Sequence, residues 1–484
     1  MAVSFDTNVL ILQQYTMTEA SGWMSTAVWL VIALAVKGGA FIITQFILYK
    51  RSGASVRKLD VKLRIVQSGS NRASASKVLV TGGCGFLGRH IVELLSDLFK
   101  DQLNIYVLDM AAQPNPALPH VTYIAGDIRV PAHVTMASAG AAAIIHTAGM
   151  MQYATTDPPF MTAVNVDGTR NVVEACLDKE VKVLVYTSSV AVLWSKDGRP
   201  IHRASETSPA LPPDQQLLAY GAAKAVAERL VLGVNNHITR SVVLRAGGLY
   251  GPGDQHLVDS AHAFTPLVGQ DNQARVPLVW VRDAARAHVL ALVRLLWPGD
   301  SLALQRASRP WRHAASKSAL EGPAETNGAA TSTSVASAVD EHGRRERLAG
   351  AVCHLCHDPD RDLPTYRVFM GAADAESPGG RLSCWGTQPQ WSVPRWLAFL
   401  VADLNEAVAS RLGFAPFHRA LTRATIVTAT RDATVDIAKA KLLLGWEPTP
   451  WRDAVAAVRE ELLSRERAEL AVALGVDGQD KKEL

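Results

Sequence analysis

The sequence predicts an α/β fold: a doubly wound parallel sheet, a smaller C-terminal region behind it, and an N-terminal membrane helix. Three observations predict it. Short apolar runs alternate with helical patterns from Lys77 to about Gly251. A glycine-rich turn joins the first of those runs to the first helix. A long apolar stretch, Trp23 to Tyr49, precedes them and ends in a basic cluster.

The first 22 residues hold no Lys or Arg and read as a tail. Residues 23–49 are almost wholly apolar, interrupted by Lys37, and a membrane-spanning helix needs about 20 apolar residues. Lys37 costs about 2.5–3.5 kcal/mol at a bilayer centre, which the flanking Ile, Leu, Val and Phe offset; an in-plane anchor is the alternative. Lys50, Arg51, Arg57, Lys58, Lys62 and Arg64 put the following chain on the cytosolic side. A cleaved signal peptide fits poorly, because its positive n-region is missing. Residues 50–76 read as a basic linker.

Residues 77–300 hold the parallel sheet. Lys77–Thr81, Ile105–Asp109, Val121–Ala125, Ala142–His146, Val181–Thr187 and Ser241–Arg245 are short and apolar, with helical patterns between several of them. That alternation predicts a parallel sheet covered by helices. Residues 301–350 are rich in Ala, Ser, Thr, Arg and Glu and poor in periodicity, and read as a disordered insertion. Residues 351–465 form the C-terminal region, with a helical pattern over Pro394–Phe414 (Trp396, Phe399, Leu400, Leu404, Val408) whose apolar side is expected in a core or on a membrane. Asp436 is expected to cap a short helix ending near Gly445. Residues 466–484 are a tail whose Lys481-Lys482-Glu483-Leu484 matches a dilysine retrieval signal of the endoplasmic reticulum.

The composition excludes other classes. Lys and Arg number 49 against 45 Asp and Glu, a net +4 too mild for a nucleic-acid partner. Five cysteines do not make a disulfide framework. Cys353-His354-Leu355-Cys356-His357 has the spacing of a haem attachment or half a zinc site, but no second Cys/His pair accompanies it. It reads as a chance cluster, and no metal is expected.

The turn Thr81-Gly82-Gly83-Cys84-Gly85-Phe86-Leu87-Gly88 is the candidate nucleotide site. Gly82 allows the tight turn, Gly85 lets backbone approach a pyrophosphate, and Gly88 permits close helix–strand packing. The first-turn N–H groups, at Phe86 and Leu87, face the phosphates. Asp109 ends the next strand, 21 residues after Gly88. A carboxylate there accepts from the adenosine ribose hydroxyls and repels a 2′-phosphate, which favours NAD over NADP. Asp127 and Ile128, after the third strand, are placed at the adenine edge.

Tyr220-Gly-Ala-Ala-Lys224 lies on a predicted helix, so phenol and ammonium share one face. A neighbouring cation favours phenolate, which can take a proton from a hydroxyl. Of nine tyrosines only Tyr220 has Lys four residues on. Tyr186-Thr187-Ser188-Ser189 ends a strand at the edge where such sheets bind ligands, with Ser189 as a donor to a substrate oxygen and Thr187 beside the cofactor.

The stretches VLVTGGCGFLGRHIV, LDM, GDIR, IIHTAG, NVDGTRNVVEAC, VYTSS, YGAAK, LRAGGLYGPGD, VRDAARAHVLA and DIAKAKLLLGW carry a resemblance. The chain resembles extended short-chain dehydrogenases/reductases of Rossmann type, within them the 3β-hydroxysteroid dehydrogenase branch, and there the decarboxylating sterol-4α-carboxylate 3-dehydrogenases. The likeness is strong over Lys77–Leu296 and looser over Leu421–Val458. It implies that His146 and Ala148 line the cofactor, that Asn165 stands beside the active site, and that Arg245 to Gly248, Gly247 included, meet the nicotinamide end. It implies Tyr220 as base, Lys224 on the nicotinamide ribose and Ser189 on the oxyanion. The implied reaction is NAD-dependent oxidation of a 3β-hydroxysteroid, here a 4α-carboxysterol with decarboxylation. A sterol substrate, the endoplasmic-reticulum membrane, and a homodimer or sterol-processing complex follow as partners; residues 351–465 would bind substrate. His288 is expected to pack within its helix. Ala246 stands where relatives carry Pro, and Pro277-Leu278-Val279-Trp280 departs from the usual run, both on the substrate side. A nucleotide-sugar epimerase or reductase, a dehydrogenase/isomerase and a non-catalytic NAD-binding scaffold are the rivals.

Overall fold

The computed structural model describes residues 62–67, 72–111, 117–151, 158–254, 267–268, 274–309, 343–361, 363, 392–412, 422–458, 460–461 and 464. The expected membrane helix 23–49, the core of the insertion at 310–342 and the tail lie outside the described residues. Among the described residues no helix is long and apolar enough to cross a membrane.

An eight-stranded sheet organises the described chain, in the order β1-β4-β3-β2-β5-β6-β8-β12. Its strands are β1 Arg64–Gln67, β2 Ser76–Thr81, β3 Leu103–Asp109, β4 Val121–Ala125, β5 Ala141–His146, β6 Val183–Ser189, β8 Arg240–Ala246 and β12 Ala351–Leu355. All neighbours pair parallel except β1 with β4. Six strands fall where the apolar runs predicted them. β1 is an addition: a polar edge strand in the stretch read as linker, added antiparallel to β4.

Side chains alternate across the sheet as its period of two requires. Val78 and Val80 of β2 face one core with helices α1 Phe86–Phe99 and α6 Val281–Leu296. Leu79, between them, faces the other core with α2 Pro131–Ser138, α4 Gly168–Asp178 and α5 Ala219–Gly233. A short helix α3, Pro158–Thr162, leads through a π-helical turn, Ala163–Asp167, into α4. Two cores on two faces define the doubly wound fold. Each fully buried Leu, Ile or Val contributes about 1.5–3 kcal/mol. The chain reverses direction across the sheet at β2: β3 lies on one side and β5 on the other, and the crevice beyond their carboxyl ends is where such sheets take ligands.

The domain boundaries shift in two places. Ser301–Ser308 forms helix α7, capped by the Asp300 carboxylate on Ala303 N–H at 2.9 Å, and 343–348 is helical, so the disordered reading of 301–350 was too broad. β12 belongs to the main sheet, where Cys353 pairs with Leu244 of β8, although the sequence places it after the insertion. Beyond it, β13 Ser392–Val393 pairs with β10 Leu267–Val268, and helices α8 Arg395–Leu412 and α9 Arg423–Thr430 follow. β14 Ala433–Val435 returns to pair with β7 Ile201–Ala204. α10 Ala438–Leu444 ends at Gly445 with φ +62°, as the sequence led one to expect; its N-cap is Ile437 and not Asp436, which stands one residue earlier and accepts the Ala438 N–H at 2.9 Å.

Candidate active site

The glycine turn leaves β2 with Gly82 at φ +73°, a conformation that side chains resist. A Cβ on Gly82 would stand 2.7 Å from the Ala148 backbone, and one on Gly88 2.0 Å from Gly82 O. Backbone therefore packs on backbone between the β2 turn, α1 and the end of β5. Gly85 is the N-cap of α1 and offers no side-chain cap, while the Arg89 N–H already bonds Gly85 O at 3.0 Å. The N–H groups of Phe86 and Leu87 are the first-turn donors of a helix aimed at the crevice. Leu87 itself packs in the core. A cradle that admits only glycine, with helix donors above it, fits the diphosphate of a dinucleotide.

Asp109 closes this turn. Its carboxylate accepts the Cys84 N–H at 3.0 Å and the Ala111 N–H at 2.9 Å. Burial raises its pKa, and the N–H groups of Ala111, Cys84 and Met110 oppose that rise. Asp127 is turned differently from the expectation: its carboxylate accepts the Arg129 N–H at 2.9 Å and grips the Arg129 guanidinium, Nε to Oδ2 at 2.9 Å. Ile128 packs in the second core, where a Cβ on Gly168 would meet its Cδ1 at 2.6 Å.

His146 at the end of β5 is fully buried. Thr81 Oγ1 lies 2.7 Å from Nδ1 and Thr169 Oγ1 3.0 Å from Nε2. Burial and the Lys224 charge push its pKa down to about 3, so it is neutral. Its ring thus ties β2, β5 and α4 together beneath the crevice, with Thr147 donating to Thr81 O at 2.8 Å beside it. Asn165, in the π-helical turn, exchanges two 2.8 Å bonds with the Met150 backbone. That turn brings α4 against the mouth of the site; π-turns of this kind gather at functional positions.

Tyr220 and Lys224 share α5, which packs on β6, and Ser189 ends that strand. Lys224 Nζ is 6.0 Å from the Tyr220 ring centroid and 4.8 Å from that of Tyr186. It donates to Thr187 O at 2.8 Å. Burial lowers its pKa to about 8, with Glu228 opposing, so the ammonium stays mostly charged at neutral pH. A Cβ on Gly149 would come within 3.3 Å of Nζ, so the β5 loop passes directly over the amine. Ser189 Oγ accepts the Ala191 N–H at 3.1 Å, which leaves its proton to donate. The Thr187 hydroxyl is used elsewhere: it donates to His288 Nε2 at 2.7 Å, since His288 Nδ1–H donates to Ala284 O at 2.7 Å. Burial lowers the His288 pKa to about 4, and this histidine packs in α6 as expected.

A buried ion pair underlies the site that sequence reasoning missed. Glu228, one helical turn past Lys224, accepts Ser188 Oγ–H at 2.5 Å and takes Arg245 through Nε at 2.9 Å and Nη2 at 2.8 Å. Both side chains are under 5% exposed. Arg245 is therefore held beneath the sheet ends, not extended to a nicotinamide. The i, i+4 spacing from Lys224 to Glu228 was the available signal. Gly247 follows β8, its N–H on Leu355 O at 2.9 Å, and a Cβ there would strike Pro277 O at 2.3 Å. The segment Pro277-Leu278-Val279-Trp280 enters strand β11 Leu278–Trp280, which pairs with β9 Gly248–Tyr250. The Cys353–His357 cluster lies on β12 and just after it, buried; burial pushes the Cys353 thiol up to about 12. Among the described residues no group could hold a metal ion.

Residues 79–306 match the model of the 3-beta hydroxysteroid dehydrogenase/isomerase family. The human 3 beta-hydroxysteroid dehydrogenase type 7 is 29% identical over 412 residues, 80% of this chain and 95% of that protein. The decarboxylating sterol-4-alpha-carboxylate 3-dehydrogenase of Saccharomyces cerevisiae is 34% identical over 46% of this chain and 66% of its own length. A Vaccinia virus 3 beta-hydroxysteroid dehydrogenase/Delta 5-->4-isomerase is 34% identical over 46% of this chain and 68% of its own. Among solved structures, gox2253 aligns with TM-score 0.53 at 23% identity, covering 79% of this chain and 96% of that one, which is a likeness of fold. From the matched residues and the shared core, the chain belongs to the 3-beta hydroxysteroid dehydrogenase/isomerase family.

Proposed function

We propose that this chain oxidises the 3β-hydroxyl of a sterol carrying a 4α-carboxylate, with NAD as hydride acceptor and loss of carbon dioxide from the product. The observation that carries the reading is a buried, cationic Lys224 6.0 Å from the centroid of the Tyr220 ring on one helix that packs on β6, the strand Ser189 ends. The family and the yeast relative's name support the substrate class.

The residues divide the work. Phe86 and Leu87 N–H groups would hold the diphosphate, and Asp109 the adenosine ribose, where its charge disfavours a 2′-phosphate. NAD, when bound, supplies the acceptor for the hydride leaving C3. Tyr220 Oη takes the proton of the 3β-hydroxyl as a general base. Lys224 stabilises the phenolate by its charge, and Ser189 donates to the oxygen as it becomes a carbonyl. A 3-ketone beside the 4-carboxylate accepts the electron pair released with carbon dioxide, so decarboxylation needs no further group from the protein. The proposal sets the folded unit on the cytosolic face of the endoplasmic-reticulum membrane, on the apolar run 23–49 and the basic residues after it.

The test is NADH formation by membranes carrying the full chain. The substrates are 4-carboxysterols, plain 3β-hydroxysterols and UDP-sugars, each with NAD and with NADP. The expected result is turnover of the carboxysterol with NAD, and a loss of about 100-fold or more in Tyr220→Phe with NAD binding retained. Turnover of plain sterols alone moves the activity to a dehydrogenase/isomerase. Undiminished turnover by Tyr220→Phe refutes the assignment of the base.

A further inference from the structure

The side chains of β6 alternate between two helices. Thr187 turns to His288 of α6, while Tyr186 and Ser188 turn to α5. Ser188 meets Glu228 there, and Tyr186 meets Lys224. Lys224 Nζ stands over the Tyr186 ring at 4.8 Å from its centroid, against 6.0 Å for Tyr220. Both Tyr186 and Lys224 are buried, Tyr186 completely. Up to Tyr186 the strand is Val and Leu, so nothing in the strand itself calls for an aromatic. Among the described residues the amine makes one hydrogen bond, to Thr187 O at 2.8 Å. An ammonium has three protons to place, so burial leaves this one short of partners. The electron-rich face of an aromatic ring answers that shortage, and does so best where water is excluded.

We propose that Tyr186 is a positioning residue of the hydride-transfer site: the face of its ring holds the Lys224 ammonium in place and in its charged form. The part that concerns turnover rests on the reading above. The other groups around the amine leave this work to the ring. His146 of β5 lies 5.4 Å from the Tyr186 ring, centroid to centroid, and is neutral. Its Nε2–H donates to Thr169 Oγ1, because the Thr169 hydroxyl proton is spent on Asn165 O at 2.7 Å. Glu228, on the amine's own helix, is the anion that opposes desolvation at Lys224, but Arg245 of β8 takes both of its carboxylate oxygens. Tyr220 stands farther off and is the group that Lys224 serves. The Tyr186 hydroxyl lies beside Thr169 of α4, so the ring meets the amine with its face and keeps its polar end elsewhere.

The experiment compares Tyr186→Phe, which keeps the ring, with Tyr186→Leu, which removes it, in the full chain. The first readout is urea unfolding from about pH 6 to 10. The amine titrates at about 8 in the folded chain and at 10.5 in the unfolded one, so stability gains with pH from about 8 upward. Loss of the ring lowers the folded value by about one unit, so the gain should begin about one pH unit earlier in Tyr186→Leu than in Tyr186→Phe or wild type. Across that step the folding equilibrium of the Leu variant should improve about tenfold on that of the Phe variant. The cavity left by Leu costs the same at every pH and drops out of the comparison. His146 titrates at about 3, below the range, and does not disturb it. The second readout is NADH formation: the alkaline limb of kcat, where the amine loses its charge, should move down by about one pH unit in Tyr186→Leu and stay in place in Tyr186→Phe. Profiles of the Leu variant that coincide with those of the Phe variant overturn the proposal, and so does an equal displacement in both. If Tyr186→Leu does not fold, Tyr186→Met takes its place with the same expectations. If no sterol is turned over at all, the hydride-transfer reading fails, while the unfolding profiles still decide what the ring does.

Discussion

Replacing Lys224 by Met should make stability respond to alkaline pH in the opposite way from most buried-charge mutations. The ammonium is buried and its pKa falls from 10.5 to about 8, with desolvation the first cause. Below pH 8 the amine is protonated in the folded and the unfolded chain alike, and the folded state bears the desolvation cost. Between pH 8 and 10.5 the unfolded chain holds one proton more than the folded one. Folding stability therefore rises with pH there, by about 1.4 kcal/mol per pH unit. Over the whole window the gain is about 3 kcal/mol. Methionine fills similar volume and carries no proton, so the variant lacks that rise. It also loses the Lys224 bond to Thr187 O, which costs about 1–3 kcal/mol at every pH. Urea unfolding followed by tryptophan fluorescence at pH 7, 8, 9 and 10 gives the difference between the two chains, and other titrating groups cancel in it. The wild type should gain on the variant as pH rises above 8, and the variant should be nearly as stable as wild type at pH 7. A difference that stays flat from pH 7 to 10 would refute the burial of a charged amine beneath the crevice.

Two further outcomes follow from the same geometry. Gly88→Ala sets a Cβ 2.0 Å from Gly82 O, so α1 must move off the turn; overpacking should cost about 1–3 kcal/mol of stability, and NAD affinity by calorimetry should fall at least tenfold. Glu228→Gln removes one partner of the buried pair with Arg245 and should cost about 3–5 kcal/mol in thermal or urea unfolding, with Glu228→Gln/Arg245→Met recovering part of it.

The parallel strands were legible because each is buried on both faces and therefore reads as a continuous apolar run. The glycine turn was legible because its spacing is set by backbone contact that side chains would block. The spacing of Tyr220 and Lys224 predicted the helix that carries both, and the apolar run before Ser189 predicted the strand it ends. The elements that escaped are those whose local sequence carries no such mark. β1 is an edge strand of four residues, polar at Arg64 and Gln67, and nothing in the sequence shows that β4 has an open side for it. β12 was hidden because Cys353 and His354 break its apolar run and it follows the insertion; both are buried strand residues. Asp127 was assigned to the cofactor from its position and Arg245 from the family resemblance, and the charges that hold them, Arg129 and Glu228, became visible only when the chain was folded. The pattern over Pro394–Phe414 predicted the helix α8 correctly, but a periodic stripe does not say whether it faces protein or something else, and here it faces outward.

The late strand β12 has a consequence for anyone who would trim this protein. The stretch most like its relatives ends near residue 306, yet the last partner of β8 arrives at Ala351–Leu355. A fragment stopped at the end of that stretch would carry the Tyr220–Lys224 helix and the whole glycine turn, but the flank of β8 would be bare. Its unpaired amides and carbonyls, beside Val243 and Leu244, would form a sticky margin open to strands of other molecules. Such a fragment should precipitate and not yield a minimal enzyme, and the shortest workable piece must run past Leu355.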